Sequence, residues 1–470
     1  DLGVMDEDGY LRITGQANKG LLELGEVALF DLEGNRVNLS ASASPLFDEQ
    51  ETVPEKTTYY DSAYFDEIYH PRTAWEHIRG IEPYEISHPP LGKLIMGVGI
   101  RLFGMTPFGW RFMGTLFGVG MLPLLYVFLK NLFGRTSIAT CGTVLLAADF
   151  MHLTQTRLAT IDTYAFFFIL LMYYFMYRYL TLPAGAPFRK CALPLFLSGL
   201  FWGIGAASKW TVIYGCTGLV VLYFIGLYQK LRDWPADGET GARQPGRLKW
   251  AFQILAFSVL VFALIPAAIY TLSYLPYAWA EGDSSLTGLV GAMWENQRYM
   301  LSYHSGVTDT HPYSSRWYQW LFDIRPILYY MDNSVPGYTT RFAAFVNPVV
   351  CWGGLLAVLA CAVQAVRRRC AKALFIVIGY LAQLVPWFFI GRITFAYHYF
   401  PSVLFLILAL CYVFYSLSEQ EELIAWKPAM YAVTAGAAAL YALFYPVLVG
   451  IQIPSWYGTC LLRWLPSWPF

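Results

Sequence analysis

Apolar runs of roughly membrane-spanning length recur along most of this chain, near positions 108–129, 136–152, 160–180, 193–208, 210–228, 251–279, 342–365, 373–390, 395–416 and 428–450. A helix needs about 20 mostly apolar residues to cross a hydrocarbon layer of about 30 Å, so each run predicts a transmembrane helix. The pattern predicts an all-α polytopic membrane protein with about ten spans. Residues 91–105, "LGKLIMGVGIRLFGM", are apolar but short and carry Lys93 and Arg101, which suits an interfacial helix better than a span. The runs at 193–208 and 210–228 are joined by almost nothing.

The rest of the chain departs from this pattern in three places. Residues 1–45 include "GYLRITG" and "GEVALFDLEGNRVNL", where apolar and polar positions alternate around a Glu-Gly-Asn turn. That alternation predicts a β-hairpin and the tail of a β-rich domain. A linker-like "SASASPLFDEQETVPEK" at 40–56 leads into a first polar loop at 46–107, and 280–341 form a second one. The organisation expected is therefore 1–45, the loop 46–107, a first bundle 108–279, the loop 280–341 and a second bundle 342–470.

Composition agrees with a membrane protein. Of the 470 residues 57% are hydrophobic and only 14% are charged, where soluble domains carry about a quarter. The formal net charge is zero, so no basic field argues for nucleic acid. The eight cysteines are scattered singly, without the spacing of a metal site or disulfide framework. Basic residues concentrate in alternate connections: Lys130 and Arg135, then Arg178, Arg189 and Lys190, then Lys230 to Lys249, then "VRRRCAK" at 366–372. The positive-inside rule makes these cytoplasmic. It places the opening segment, both polar loops and the C-terminus outside. The chain opens on Asp, and an external N-terminal segment calls for an export signal, so a further helix upstream is expected, giving eleven spans.

On this topology the unusual polar groups fall on one side. The first outer loop, "YFDEIYHPRTAWEHIRGIEPYEISHPPLGK", holds the adjacent acids Asp66 and Glu67, three histidines including His88, and Lys93. Arg157 and Asp162 mark the next outer turn, Lys209 the following one, "HPYSSRWYQW" the long loop, and Arg392 and His398 the last turn. Lysines and arginines at span ends are ordinarily snorkelling anchors, and aromatics there ordinarily form an interfacial belt. An adjacent acid pair beside apolar surface has no such packing role.

Taken together, "FDE", "HPPLGK", "WRFMGTLFG", "TRLATIDTYAFFF", "ASKWT", "HPYSSRWYQW" with "RPILYY", "NPVVCW" and "RITFAYHYFP" follow one another in an order that resembles the protein O-mannosyltransferases, from about residue 59 to about 420. The resemblance implies a GT-C membrane glycosyltransferase that moves mannose from a polyprenyl-phosphate carrier to Ser or Thr of exported proteins. It implies that Asp66 and Glu67 carry the acid/base role, and that Arg111 matches a family arginine. The short second loop resembles that of bacterial members, which lack a β-trefoil insertion there. The stretch "GEVALFDLEGNRV" is similar to discoidin-like sugar-binding sandwiches.

The chemistry points the same way. A Ser/Thr hydroxyl needs a base, worth about 10²–10⁴-fold, and Asp66 is the candidate, with Glu67 orienting the acceptor or tuning Asp66. A single base suits inversion. The leaving lipid phosphate needs fixed cations, for which Arg111, Lys93, Lys209 and Arg392 are candidates, with His398 as a further donor. A phosphate leaves as a stable anion, so no metal and no cofactor are required. His88, His311, Tyr313, Arg316 and Trp317 are candidates for acceptor or loop contacts. The partners expected are a polyprenyl-phosphate sugar, an exported protein and membrane lipids, and the site expected is on the outer face of a plasma membrane.

Two other readings compete. The same fold and donor class serves a cell-envelope glycan or lipid acceptor, as in aminoarabinose transferases that modify lipid A. A lipid or solute transporter is the other, although the sequence carries no internal repeat and its polar groups do not sit at mid-membrane.

Overall fold

A computed structural model describes residues 62–235, 246–308, 310–420 and 426–470, together with residues 4–5, 11–12, 27–31, 33, 35–37, 47, 50 and 53. The chain divides into two compact units, Asp1–Ala63 and Tyr64–Phe470.

In the first unit β1 (Val4–Met5) pairs antiparallel with β2 (Leu11–Arg12). Phe30 bridges Arg36 across a turn in which the Asp31 carboxylate accepts the Asn35 N–H at 2.7 Å. The remainder of the expected β-rich segment 1–45 lies outside the described residues.

The second unit is mostly helical. A 3₁₀ turn at Phe65–Ile68 leads into α1 (His70–Arg79), followed by α2 (Leu91–Phe103) and α3 (Pro107–Phe133). Then come α4 (Thr136–Ala147), α5 (Phe150–Arg157), α6 (Asp162–Leu180), α7 (Phe188–Ser208) and α8 (Thr211–Arg232). A long broken helix comprises α9 (Arg247–Val259), a π turn, α10 (Ile265–Leu272) and α11 (Leu275–Ala280). The second loop holds α12 (Leu286–Gly306) and the one-turn α13 (Trp317–Trp320), and α14 (Gly354–Arg367), α15 (Ala371–Leu384), α16 (Phe400–Ser418) and α17 (Trp426–Val449) complete the bundle.

Each of the ten apolar runs overlaps a helix, the run from 342 only from Val349 onward. Among the described residues eight are long and apolar enough to cross a membrane, and nine if α4 and α5, bent by 56°, make one broken span. The bend is closed by Asp149, whose carboxylate accepts the His152 N–H at 2.9 Å to cap α5 and the Asn347 N–H at 3.0 Å. The nineteen-residue α6, with five tyrosines, is buried along most of its length against α3, α7, α8 and α16. α16 is apolar all round and the most enclosed of the spans, as expected for a helix with no lipid-facing side. As expected, α2 is too short to span. It crosses α3 so closely at Gly99 that a Cβ there would overlap the Gly109 carbonyl.

The second loop is more ordered than its polarity suggests. β3 (Ile327–Asp332) and β4 (Tyr338–Ala344) form an antiparallel hairpin, and β4 also pairs with β5 (Ile453–Pro454) after the last helix. Asp332 accepts the Ser334 N–H and Gly337 takes a left-handed φ of 77° to turn the hairpin. The apolar run predicted from 342 therefore starts as a strand, and its span begins only at Val349.

Candidate active site

The adjacent acids are separated by their surroundings. Glu67 is buried, and both its oxygens are taken: Arg111 Nε and Nη2 each donate at 2.8 Å, and the Ala159 N–H donates at 2.8 Å. This fork-to-fork pairing is the strong form of an ion pair. Asp66 lies on the wall of a chamber of about 1170 Å³, and its carboxylate has no side-chain partner among the described residues. Burial raises its pKa above the ordinary 3.8, against the pull of His70 and Lys209.

The backbone ahead of Asp66 is held in an uncommon state. Phe65 has a φ of 55°, a left-handed conformation that costs a non-glycine residue about 1–2 kcal/mol. Its ring is fixed edge-to-face by His311, Tyr329, Phe395 and Tyr397, with centroids 4.9–5.8 Å away. This cage, built from the second loop and the turn before α16, sets the direction in which Asp66 leaves the turn.

Cations gather in the same chamber. Lys209 occupies the two-residue corner between α7 and α8, where its ammonium donates to Asp162 Oδ1 at 2.7 Å and sits 5.5 Å from the Tyr397 ring. Arg392 lines the chamber, and its guanidinium makes one long hydrogen bond, to the Ile393 carbonyl at 3.3 Å. His398 also lines it, with Nδ1 tied to the Phe395 backbone and its ring stacked on Trp320 and Tyr397.

Two of the expected phosphate-binding residues are placed elsewhere. Lys93 is fully buried, donating to Glu85 Oε2 and the Glu85 carbonyl at 2.7 Å and to the His88 carbonyl at 3.2 Å. Arg111 is held on Glu67. Neither lines the chamber. Both cations answer buried carboxylates, which is why they sit in apolar helices. Glu67 likewise serves Arg111 and the Ala159 N–H rather than the chamber.

Glu85, which the sequence did not single out, joins this region. It accepts from Lys93, from the Ser87 N–H at 2.8 Å and from His88 Nδ1 at 3.1 Å, and it lies 3.7 Å from His70. Burial alone would raise its pKa, but Lys93 and the two histidines hold it well below the ordinary carboxylate value. Burial pushes His88 down to about 3 and His304 down to about 4, so both imidazoles are neutral near pH 7.

Of the loop candidates, His88 and His311 line the chamber, whereas Tyr313, Arg316 and Trp317 do not. Trp317 stacks on Phe388 with centroids 3.9 Å apart, Arg316 is exposed, and Tyr313 packs beside the sheet. The residue of this motif that bears on the site is Trp320, whose indole donates to Ser315 Oγ and stacks against His398. Among the described residues no group of three or more His, Cys, Asp or Glu side chains is arranged to hold a metal ion.

Residues 104–280 match the family model for dolichyl-phosphate-mannose-protein mannosyltransferase, and residues 289–468 match that for the C-terminal four TMM region of protein-O-mannosyltransferase. A polyprenol-phosphate-mannose–protein mannosyltransferase of Mycobacterium tuberculosis (strain CDC 1551 / Oshkosh) is 26% identical, over 100% of this chain and 94% of its own. A protein of the same name from Corynebacterium glutamicum is 24% identical, over 94% and 92%. The Saccharomyces cerevisiae Pmt1-Pmt2 complex bound to the sugar donor superposes with a TM-score of 0.75 at 14% identity, covering 88% of this chain and 90% of that one. Apo ArnT from Cupriavidus metallidurans gives 0.51 at 16% identity, covering 85% and 64%. At these identities the two structures establish a common fold.

Proposed function

Because this chain belongs to the protein O-mannosyltransferase family, we propose that its chamber joins mannose to Ser or Thr hydroxyls, with Asp66 as general base. The protein is a multi-pass membrane glycosyltransferase that moves mannose from a polyprenyl-phosphate donor to protein, which sets aside the transporter reading.

One observation carries it. Of two neighbouring carboxylates, Glu67 is bound on both oxygens, while Asp66 is uncommitted and borders the chamber. A raised pKa makes Asp66 a stronger base than an ordinary aspartate. The acceptor hydroxyl gives its proton to Asp66 as its oxygen bonds to the anomeric carbon. The bond from that carbon to the phosphate oxygen breaks, and its electrons leave with the lipid phosphate. Glu67 is unavailable as a second nucleophile, so the displacement is single and inverts the anomeric centre.

The leaving phosphate gathers charge where Lys209, Arg392 and His398 border the chamber. Fixed donors in a water-poor site stabilise such charge without reorganising. With those cations in place the scheme needs no metal and no cofactor. α3 begins beside this region and carries Lys130 in its last turn, next to the first of the basic connections. Under the positive-inside rule that orientation puts the chamber on the extracytoplasmic side of the plasma membrane.

The test is transfer from synthetic polyprenyl-phosphate mannose to a Thr-containing peptide in proteoliposomes. Asp66→Asn should lower kcat by about 10²–10⁴-fold. Full activity in that variant would sink the assignment.

A further inference from the structure

We infer that two stacked tyrosine pairs, Tyr69 with Tyr84 and Tyr299 with Tyr303, form the acceptor subsite, holding an extended polypeptide segment on either side of the hydroxyl that reacts. The inference rests on protein being the acceptor and extends that reading to the residues that recognise it.

The Tyr69 and Tyr84 rings lie 6.2 Å apart at an interplanar angle of 19°, and those of Tyr299 and Tyr303 lie 6.0 Å apart at 16°. All four line the chamber that contains Asp66, and all four remain 40–57% exposed. They are held in place from behind. Glu76 accepts the Tyr84 N–H at 2.6 Å, and the Arg72 guanidinium sits 4.1 Å from the centre of the Tyr84 ring. The loop bearing Tyr84 is bound to α12, which bears the other pair, through Asn296 Nδ2 to the Ile86 carbonyl at 2.8 Å and His304 Nε2 to the Ser87 carbonyl at 2.9 Å. The two pairs therefore belong to one braced frame.

A base set in a chamber wall is beyond the reach of a residue inside a folded domain. Only a chain in extended form brings its hydroxyl to Asp66, and its flanks then cross the chamber lining. Tyrosine suits that occupant: its flat face packs on backbone and small side chains, and its hydroxyl bonds to peptide groups, at low entropic cost. Aromatic-walled grooves recur where extended peptides are read. Tyrosines at a membrane interface otherwise serve as anchors at headgroup level, and a lipid tail of the donor is a second alternative occupant. These three roles differ in what the rings affect.

The experiment compares kcat/KM for a ten-residue peptide with a central Thr and for a capped Thr tripeptide, using polyprenyl-phosphate mannose and the full chain in proteoliposomes. The wild type should favour the longer acceptor. Tyr84→Ala and Tyr303→Ala should each lower that preference about tenfold, as truncating a buried interface aromatic does, and Tyr84→Phe should retain most of it. An unchanged preference identifies membrane anchors and overturns the proposal. An equal loss on both acceptors, or a changed KM for donors of different tail length, assigns the rings to fold or donor and also overturns it. Should Tyr84→Ala fail to fold, Tyr84→Leu carries the same comparison. Asp66→Asn is assayed alongside: its activity would refute the base and leave the acceptor comparison intact.

Discussion

Arg111 donates two hydrogen bonds of 2.8 Å to Glu67 across forty-four residues of sequence, tying the start of α3 to the turn that carries Asp66. The pair occupies the Glu67 carboxylate and leaves that of Asp66 uncommitted. Removing one partner of a buried pair costs about 3–5 kcal/mol because the other charge is left uncompensated. Arg111→Met should therefore lower the melting temperature sharply, and Glu67→Gln in the same chain should recover part of that loss. Thermal unfolding of the two single variants and the double variant measures the coupling. Strictly additive effects would show that the pair does not brace the turn.

Asp66 makes the opposite prediction. Its pKa is raised above 3.8 by burial, so the folded protein binds its proton more tightly than the unfolded chain does. Stability then falls as pH rises from 3.8 toward the raised value, and Asp66→Asn should lack that slope and be at least as stable as the wild type at neutral pH. As the proposed base, Asp66 acts in its ionised form, so the acid limb of kcat/KM should lie above 3.8. Melting curves against pH and a pH–rate profile check both signs. A limb at or below 3.8 would separate Asp66 from the rate.

Arg392 and Lys209 should divide along their partners. Arg392 has one long bond to a carbonyl, so Arg392→Ala should leave the melting temperature nearly unchanged. It should raise the donor KM roughly 10–100-fold, the equivalent of a charged hydrogen bond of about 1.5–3 kcal/mol. Lys209 neutralises buried Asp162, whose Oδ2 already lacks a partner. Lys209→Met should therefore weaken the fold as well as donor binding. Paired measurements of melting temperature and donor KM test the contrast, and matching behaviour in the two variants would refute it.

The spans were legible because apolar length is a one-dimensional signal. Asp66 stood out as an acid with no packing role. What the sequence could not convey was pairing. Lys93, Arg111 and Arg392 all look like cations beside apolar runs, yet Glu85 and Glu67 claim the first two and nothing comparable claims the third. Glu85 itself is a lone acid in "YEIS", and its importance depends on Lys93, His70 and His88 converging on it in space. Trp317 was the more conspicuous tryptophan, but the single turn of α13 gives Trp317 to Phe388 and Trp320 to His398. The hairpin at 327–344 was hidden because its second strand runs directly into an apolar helix.

Phe65 offers a way to separate backbone strain from aromatic packing. Its φ of 55° disfavours any residue but glycine, and four aromatic edges hold it there. Phe65→Ala removes the cage and keeps the strain, whereas Phe65→Gly removes both. The glycine variant should be the more stable of the two by about 1 kcal/mol, the penalty of a left-handed non-glycine residue. Both should lose a similar factor in kcat, about 10²-fold by analogy with a misplacement of about 1 Å at a catalytic group, because Asp66 is aimed by the ring rather than by the backbone angle alone. Donor KM should move little, since Arg392 and Lys209 are held independently. Single-turnover transfer and thermal unfolding of the two variants decide the matter. If Phe65→Gly transfers mannose as fast as the wild type, the turn orients Asp66 without the cage.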